Sequence, residues 1–198
     1  MLGTVGGCSN SKLITVEGGN LRWSSTLPDN GWIGGSVTQI KSAIASPPGN
    51  KDVLSMLQHM LTVAVNKNYD AYLLNFSDHG SMPTEIEITL INITYDIRNE
   101  EFRSGLAKNM AESERKSAPA GTRSQVESQK LTTTAGKVAW MFVIRVDPPD
   151  GIGYHVVHHV VVLGDGRWHM FRLTVDSKLF AMRLNDFNQM LEAIRYST

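Results

Sequence analysis

The chain has 198 residues, in which 19 lysines and arginines balance 19 aspartates and glutamates, and it contains one cysteine. This length suits a single domain, and a chain of this size buries roughly 70% of its unfolded surface without a disulfide or a structural metal. A neutral chain lacks the basic face that nucleic acid requires, so we expect no nucleic-acid partner. No apolar run approaches the ~20 residues of a membrane-spanning helix.

The single cysteine lies near the amino terminus. Val5-Gly6-Gly7-Cys8 resembles the lipobox of bacterial lipoproteins, and the polar residues 9–11 fit the tether that follows it. This resemblance implies a lipid anchor on Cys8, contact with a membrane, and a periplasm-facing place in the bacterial cell envelope. Only seven residues precede the cysteine, without a charged or a full apolar segment. The alternative is a free thiol on a flexible segment.

Residues 1–12 are therefore predicted to be a leader remnant or a flexible tether. Two short strands follow, at Leu13 to Val16 and Leu21 to Trp23. Trp23 and Trp32 are predicted to anchor the core or its rim. The stretch from Gly34 to Asn50 contains several breakers and is predicted to be loose.

A first helix is predicted from Asp52, which can cap it, to about Asn66. Its apolar residues recur on one side at Val53, Leu57, Met60, Leu61 and Ala64. A strand at 69–76 and a longer strand at 84–95 come next. In the longer strand Glu85 and Glu87 alternate with isoleucines, which predicts that both glutamates lie on a solvated face.

A second helix is predicted to begin after Asn99, which can cap it. Glu100 and Glu101 then fall in the first turn, where the helix dipole favours negative charge. The apolar side of this helix carries Phe102, Leu106 and Met110. The stretch from Ser124 to Thr133 has few large apolar residues and is predicted to be an edge strand.

The last third of the chain predicts three strands and a helix. The strands are Val138 to Val146, Tyr154 to Leu163 and Arg167 to Val175, and Gly164-Asp165-Gly166 favours a tight hairpin between the last two. Apolar residues then recur at helical spacing from Leu184 to Ile194. Hairpin-linked strands with helices between pairs predict the α+β class, a mainly antiparallel sheet covered by helices.

Several of these features together resemble the PsbP-like, or DcrB-like, family of small α/β bacterial proteins and lipoproteins. The likeness is carried by a Leu27-Pro28 corner followed by Trp32, the entry of Gly136 to Trp140 into a hydrophobic strand, and the aromatic-rich strand 168–174. It implies a PsbP-like α/β/α sandwich formed by one domain, 13–198, with 34–66 as an inserted helical segment. It also implies a non-catalytic binding or assembly module with a protein partner, although no family motif assigns its binding residues.

Histidines support the main alternative, a soluble metal-binding protein or enzyme. His155 and His159 share a strand face but lie ~13 Å apart, while His158 points to the opposite face. If the hairpin loop has three residues, His159 and His169 become diagonal neighbours at ~7 Å and could approach a metal ion. If the loop is the two-residue Asp165-Gly166, the register changes and this pair is lost.

Other reactive patterns are missing from the sequence. There is no Gly-x-Ser-x-Gly nucleophile elbow and no glycine-rich phosphate loop. We therefore predict no catalytic residue and no cofactor, and we do not expect an enzyme. A third possibility is a cytoplasmic adaptor that shields apolar segments of a secreted effector.

Overall fold

A computed structural model describes residues 13–18, 23–46, 49–80, 82–91, 96–150, 153–164 and 167–196. The strands are β1 (Leu13–Glu17), β2 (Trp23–Pro28), β3 (Trp32–Ser36), β4 (Ala71–Asn75), β5 (Thr84–Ile91), β6 (Arg123–Thr134), β7 (Lys137–Asp147), β8 (His155–Gly164), β9 (Arg167–Asp176) and β10 (Arg195–Tyr196). The helices are α1 (Val37–Ala45), α2 (Lys51–Asn66), α3 (Glu100–Ser117) and α4 (Phe180–Glu192). No helix in these ranges is both long and apolar enough to cross a membrane.

The strands form two sheets. The larger sheet has the order β3-β4-β5-β9-β8-β7-β6, and the smaller has the order β1-β2-β10. All neighbouring strands in both sheets are antiparallel. The α+β class predicted from the sequence is therefore confirmed.

The larger sheet is covered on both faces. On one face, which we call the α4 face, Ile86, Phe171 and Leu173 share a buried core with Phe187 and Leu191 of α4. The small sheet joins the same core through apolar residues of β1 and β2. Because side chains of a strand alternate between faces, the strands can bury the opposite face as well.

The opposite face, which we call the α3 face, is covered by two separate groups of helices. Helices α1 and α2 lie over β3 and β4, where Tyr72 packs in one cluster with Met60. Helix α3 lies over β6 and β7, where Trp140 and Phe142 pack with Ala107. Residues of β8 and β9, including Val157, Val161 and Met170, join the cluster beneath α3.

The stretch predicted to be loose, from Gly34 to Asn50, instead completes strand β3 and forms helix α1. Ser36 caps this helix, because its hydroxyl accepts from the amide of Gln39 while the Gln39 side chain accepts from the amide of Ser36. Gly34 and Gly35 have φ angles of +119° and +137°, which favour glycine and lead the chain from strand to helix. The next helix is capped by Asn50, not by Asp52 as predicted.

Other predicted elements are found close to their expected places. Asn99 caps α3 by accepting from the amide of Phe102. Strand β5 ends at Ile91, and the predicted continuation to 95 lies outside the described residues. Residues 1–12 also lie outside them, and the inserted segment 34–66 stays a prediction.

Strand β6 lies at the edge of the larger sheet, as predicted. Most of its side chains are exposed, including those of Glu127 and Lys130. Its pairing with β7 shifts register between Val126 and Ser128, which marks a β-bulge at Glu127.

A buried ion cluster fixes α4 to two loops of the sheet. Arg183 donates to both carboxylate oxygens of Asp78 and, at 2.8 Å, to Asp186. Asp186 also accepts from the Trp32 indole at 3.1 Å and from Asn30 at 3.2 Å. The side chains of Arg183, Asp78 and Asp186 are no more than 5% exposed, so water cannot replace any lost partner.

Both amino-terminal tryptophans lie in the core, as predicted. Trp23 and Trp32 are 3% and 2% exposed. The Trp23 indole donates to the buried carboxylate of Asp70 at 2.7 Å, so each tryptophan ends on an acidic side chain. Their buried rings and the hydrogen bonds donated by both indole N–H groups together explain why these residues anchor the structure.

We expect Arg183→Ala to lower the free energy of unfolding by about 3–5 kcal/mol, because it leaves two buried carboxylates without their cation. Urea unfolding followed by tryptophan fluorescence measures this change. Arg115→Ala is the matched control, since Arg115 pairs with Glu112 where both side chains are 44–49% exposed. Equal shifts in the two variants would contradict the role given to the buried cluster.

Candidate functional site

The structure does not bring the candidate metal-binding histidines together. Gly164 pairs with Arg167, and His169 pairs with Val162, which is the register of a two-residue loop. His155 and His159 therefore lie on the α3 face, whereas His169 lies on the α4 face. Of the two loop lengths considered, the two-residue loop is the one found, so the diagonal His159–His169 pair of the three-residue alternative does not form. No set of three potential ligands suited to a metal ion occurs in the described ranges.

Two of these histidines are packed inside the protein. His158 lies on the α4 face with its ring 5.8 Å from that of Phe187 and is 3% exposed. Burial, with a smaller contribution from Lys130, lowers the pKa of His158 to about 4. His159 stacks on Phe142 at 4.3 Å, and burial also lowers its pKa. At neutral pH both rings are uncharged members of the core.

A row of polar side chains crosses the α3 face of the larger sheet. Tyr72, Glu87, Arg172 and His159 lie directly opposite one another on β4, β5, β9 and β8. Arg172 donates to Glu87 and, at 2.8 Å, to Glu114 of α3. This pairing links the helix to the middle of the sheet.

Tyrosines complete this polar row. Tyr69 donates to Glu87, and Tyr72 donates to Glu85 at 2.6 Å. Burial and the neighbouring glutamates raise the pKa of both hydroxyls, so they remain protonated donors. The pKa of Glu85 is also raised, first by burial and then by the charge of Glu87.

The solvated face predicted for Glu85 and Glu87 is therefore wrong. Glu87 is 7% exposed and is bound by a tyrosine and an arginine, because β5 lies inside the sheet and not at its edge. Burial alone would lower the pKa of Arg172, but Glu87 and Glu114 outweigh it and raise that pKa. The charged groups of this row thus bind one another.

An apolar surface lies at one end of the same face. Leu163 is opposite Trp168, and Trp168 is opposite Ile91. Val138 is the next residue beyond Ala139, which pairs with Val162, so Val138 lies beside Leu163. Val138 and Leu163 are 41% and 42% exposed. We call Ile91, Ile97, Val138, Leu163 and Trp168 the apolar end.

A cavity of about 280 Å³ opens at the apolar end. Its lining combines four apolar and three charged residues: Asp96, Ile97, Arg98, Lys137, Val138, Leu163 and Trp168. The Lys137 ammonium lies 5.2 Å from the centre of the Tyr196 ring, on the α4 face. Ile97 is 1% exposed and belongs to the core beneath, whereas Arg98 is largely exposed and lies 3.6 Å from Asp96. The site thus has an apolar base and a charged rim, which suits binding of apolar groups.

The sequence reasoning assigned no residues to this surface. A two-residue loop places Leu163 opposite Trp168, but the apolar end also needs the segment at 96–98, whose position depends on packing between distant elements. Cys8, the predicted lipidation site, lies outside the described residues.

We expect the buried His158 to make stability depend on pH. Its pKa is about 4 in the folded chain and 6.5 ordinarily, so the unfolded chain binds the extra proton as the pH falls through this window. Its contribution is complete above pH 6.5, and about 3 kcal/mol is lost by pH 4. Urea unfolding at several pH values should show a weaker loss for His158→Leu, which keeps apolar packing.

The exposed His79 provides the control for that measurement. His79→Gln should follow the pH dependence of the unchanged chain. An unchanged pH dependence in His158→Leu would show that the buried ring does not bind the proton on unfolding.

Comparison with known proteins gives a likeness of structure only. No protein-family model matches the sequence, and no characterised protein matches it significantly. The solution structure of cyanobacterial PsbP (CyanoP) from Synechocystis matches with a TM-score of 0.61 and 13% identity, covering 99% of both chains.

Two further structures are less similar. LpqN, a protein involved in cell envelope biogenesis of Mycobacterium tuberculosis, matches at a TM-score of 0.48 and 13% identity, over 94% of this chain and 91% of LpqN. A putative regulator of unknown function from Pseudomonas aeruginosa matches at 0.46 and 11% identity, over 64% and 82% of the two chains. At these scores neither carries an argument, whereas the match to CyanoP has the higher TM-score, 0.61. The chain therefore has the PsbP-like fold that its sequence predicts.

Proposed function

We propose that this protein is a non-catalytic binding module of the bacterial cell envelope. It binds a protein partner at the apolar end and is held at the membrane by a lipid on Cys8. The fold supports this proposal only as a scaffold, because one fold hosts many functions. The support for a binding role therefore has to come from the surface of the described residues.

The observation that carries the proposal is the exposure of Val138 and Leu163 side by side at the apolar end. Single exposed apolar residues are ordinary, but adjacent ones around a cavity mark a surface that gains free energy when covered. The buried polar groups give less support to a reactive site, because Arg172, Glu87 and Tyr69 bind one another.

The histidine alternative has less support in this geometry. His159 and His169 lie on opposite faces of the sheet, and both are fully buried. A shared metal ion would have to replace core packing on two sides of the same strands. We therefore favour binding through the apolar end over metal chemistry.

Photo-crosslinking in the native host tests the proposed surface. A benzophenone amino acid at position 138 or 163 should give a discrete adduct with a partner protein. The same amino acid at Met182 should not, because Met182 is 50% exposed but belongs to α4 on the other face of the sheet.

A second set of variants links the adduct to apolar contact. Leu163→Asp should reduce the adduct formed from position 138 at least severalfold, while Met182→Asp should leave it unchanged. Adducts of equal yield from all three positions, or none from 138 and 163, would contradict binding at the apolar end.

Labelling with palmitate tests the anchor separately. The full-length gene product in its native host should incorporate the label, and Cys8→Ala should abolish incorporation, because the thiol is the group that accepts the lipid. Ser9→Ala is the control and should retain the label. An unlabelled native protein would exclude the anchor while leaving the binding surface untouched.

A further inference from the structure

We infer that the polar row is a proton-dependent clamp, which holds the end of helix α3 to the sheet while the row carries a proton and loosens it when the proton leaves. This inference goes beyond the proposed function, because it involves neither the apolar end nor Cys8. Three features of the row carry it: the number of its charges, their burial, and the way Arg172 divides its hydrogen bonds.

The polar row contains more carboxylates than cations. Glu85 and Glu87 lie two residues apart on the same face of β5, and Arg172 joins Glu114 of α3 to them. Arg172 supplies one positive charge against three negative charges, so full ionisation would leave a formal excess of two negative charges. His159, which faces Arg172 from β8, adds no charge, because burial lowers its pKa and keeps the ring neutral.

Burial makes this excess of negative charge costly. The side chains of Arg172, Glu87 and Glu114 are 17%, 9% and 21% exposed, and Glu85 is half-buried. Carboxylates that share a site with little water repel one another, so one of them keeps its proton to a higher pH than an exposed carboxylate does.

Glu85 is the carboxylate that holds this proton. None of the ion pairs among the described residues includes it, and the Tyr72 hydroxyl that donates to it is neutral. Burial, followed by the charge of Glu87, raises the pKa of Glu85 above its ordinary 4.5. The titratable groups that face it come from the β4 side, its own strand, β9 and α3: Tyr69, Tyr72, Glu87, Arg172 and Glu114.

Arg172 connects this proton to the helix. One of its amino groups donates to Glu87, and the other donates to Glu114 at 2.8 Å. When Glu85 loses its proton, the new charge on β5 attracts the guanidinium and repels the Glu114 carboxylate. Both effects weaken the hydrogen bond that holds α3, so the end of this helix opens more readily.

The opening is confined to the last turns of α3. Ala107 and Ala111 belong to the core beneath the helix, and Ser124 donates to the carbonyl of Ala111, so the helix is fixed up to that point. The closed end binds a proton more tightly than the open end, because closure raises the pKa of Glu85. The clamp is therefore complete at low pH and is lost as the pH rises from about 4.5 through the raised pKa.

Amide hydrogen exchange of the purified protein between about pH 5 and pH 8 tests the clamp. Protection of amides 114–117, corrected for the intrinsic pH dependence of exchange, should fall at least about threefold across this range, since one unit of pKa difference corresponds to tenfold. Protection of the Ala107 amide should stay constant.

Three variants identify the group that titrates. Glu85→Gln keeps a neutral side chain where the proton is held and should make the protection of 114–117 independent of pH. Glu114→Gln removes the charge that Arg172 holds and should lower protection at every pH. Glu112→Gln is the matched control on the same end of α3, because Arg115 lowers the pKa of Glu112 to about 2, and it should keep the pH dependence of the unchanged chain.

The carboxyl carbon of Glu85, followed by NMR, gives a measurement that needs no variant. Its resonance should titrate above pH 4.5, in parallel with the loss of protection at 114–117. The inference is overturned if this carboxyl titrates at or below its ordinary pKa, or if the protection of 114–117 does not fall as the pH rises. It is also overturned if Glu85→Gln retains the pH dependence or Glu112→Gln abolishes it.

Discussion

The register of the β8–β9 hairpin is the constraint on which the sites of this protein depend. Gly164 pairs with Arg167, and this pairing decides which face of the sheet each side chain of β9 occupies. Arg172 therefore meets Glu87, and Trp168 meets Ile91. A slip of one residue would exchange the two faces of β9, placing an arginine in the α4 core and removing the tryptophan from the apolar end. The polar row and the apolar end therefore both follow from the register in which β8 pairs with β9.

Buried charge holds the helices to this sheet at two places. Arg183 ties α4 to the loop that carries Asp78, and Arg172 ties α3 to β5 through Glu114 and Glu87. Each guanidinium lies between carboxylates, so its burial costs less than that of an isolated charge. The apolar clusters supply the driving force for folding, whereas these pairs fix where each helix lies. Arg98 and Asp96 beside the apolar end differ, because their side chains are 68% and 59% exposed.

Sequence reasoning predicted the parts of this fold that depend on neighbouring residues. The hairpin-linked strands, the edge position of β6 and the cap at Asn99 follow from local alternation and turn chemistry. Helix α1 was missed because Gly34 and Gly35 obscured the cap formed by Ser36 and Gln39, although Ser-x-x-Gln is itself a helix-start signal.

The sites were harder to predict because they join distant parts of the chain. Alternation with isoleucine placed Glu87 on one face correctly, but only the position of β5 between β4 and β9 shows that this face is buried. Whether His159 and His169 become neighbours depended on whether the hairpin loop has two or three residues. The apolar end combines strand ends with 96–98, and no pattern within a strand indicates that meeting. Periodicity thus gave the direction of each side chain, while the order of strands decided what it contacts.

The shape of β6 also limits what the larger sheet can do when copies of the protein come close together. An outermost strand offers unpaired amides and carbonyls to any second strand, which is how sheets extend into aggregates. The bulge at Glu127 breaks the regular spacing of those groups, and Lys130 adds a charge that a pairing strand would have to desolvate. Self-association by sheet extension is therefore disfavoured on that side, even at high local concentration.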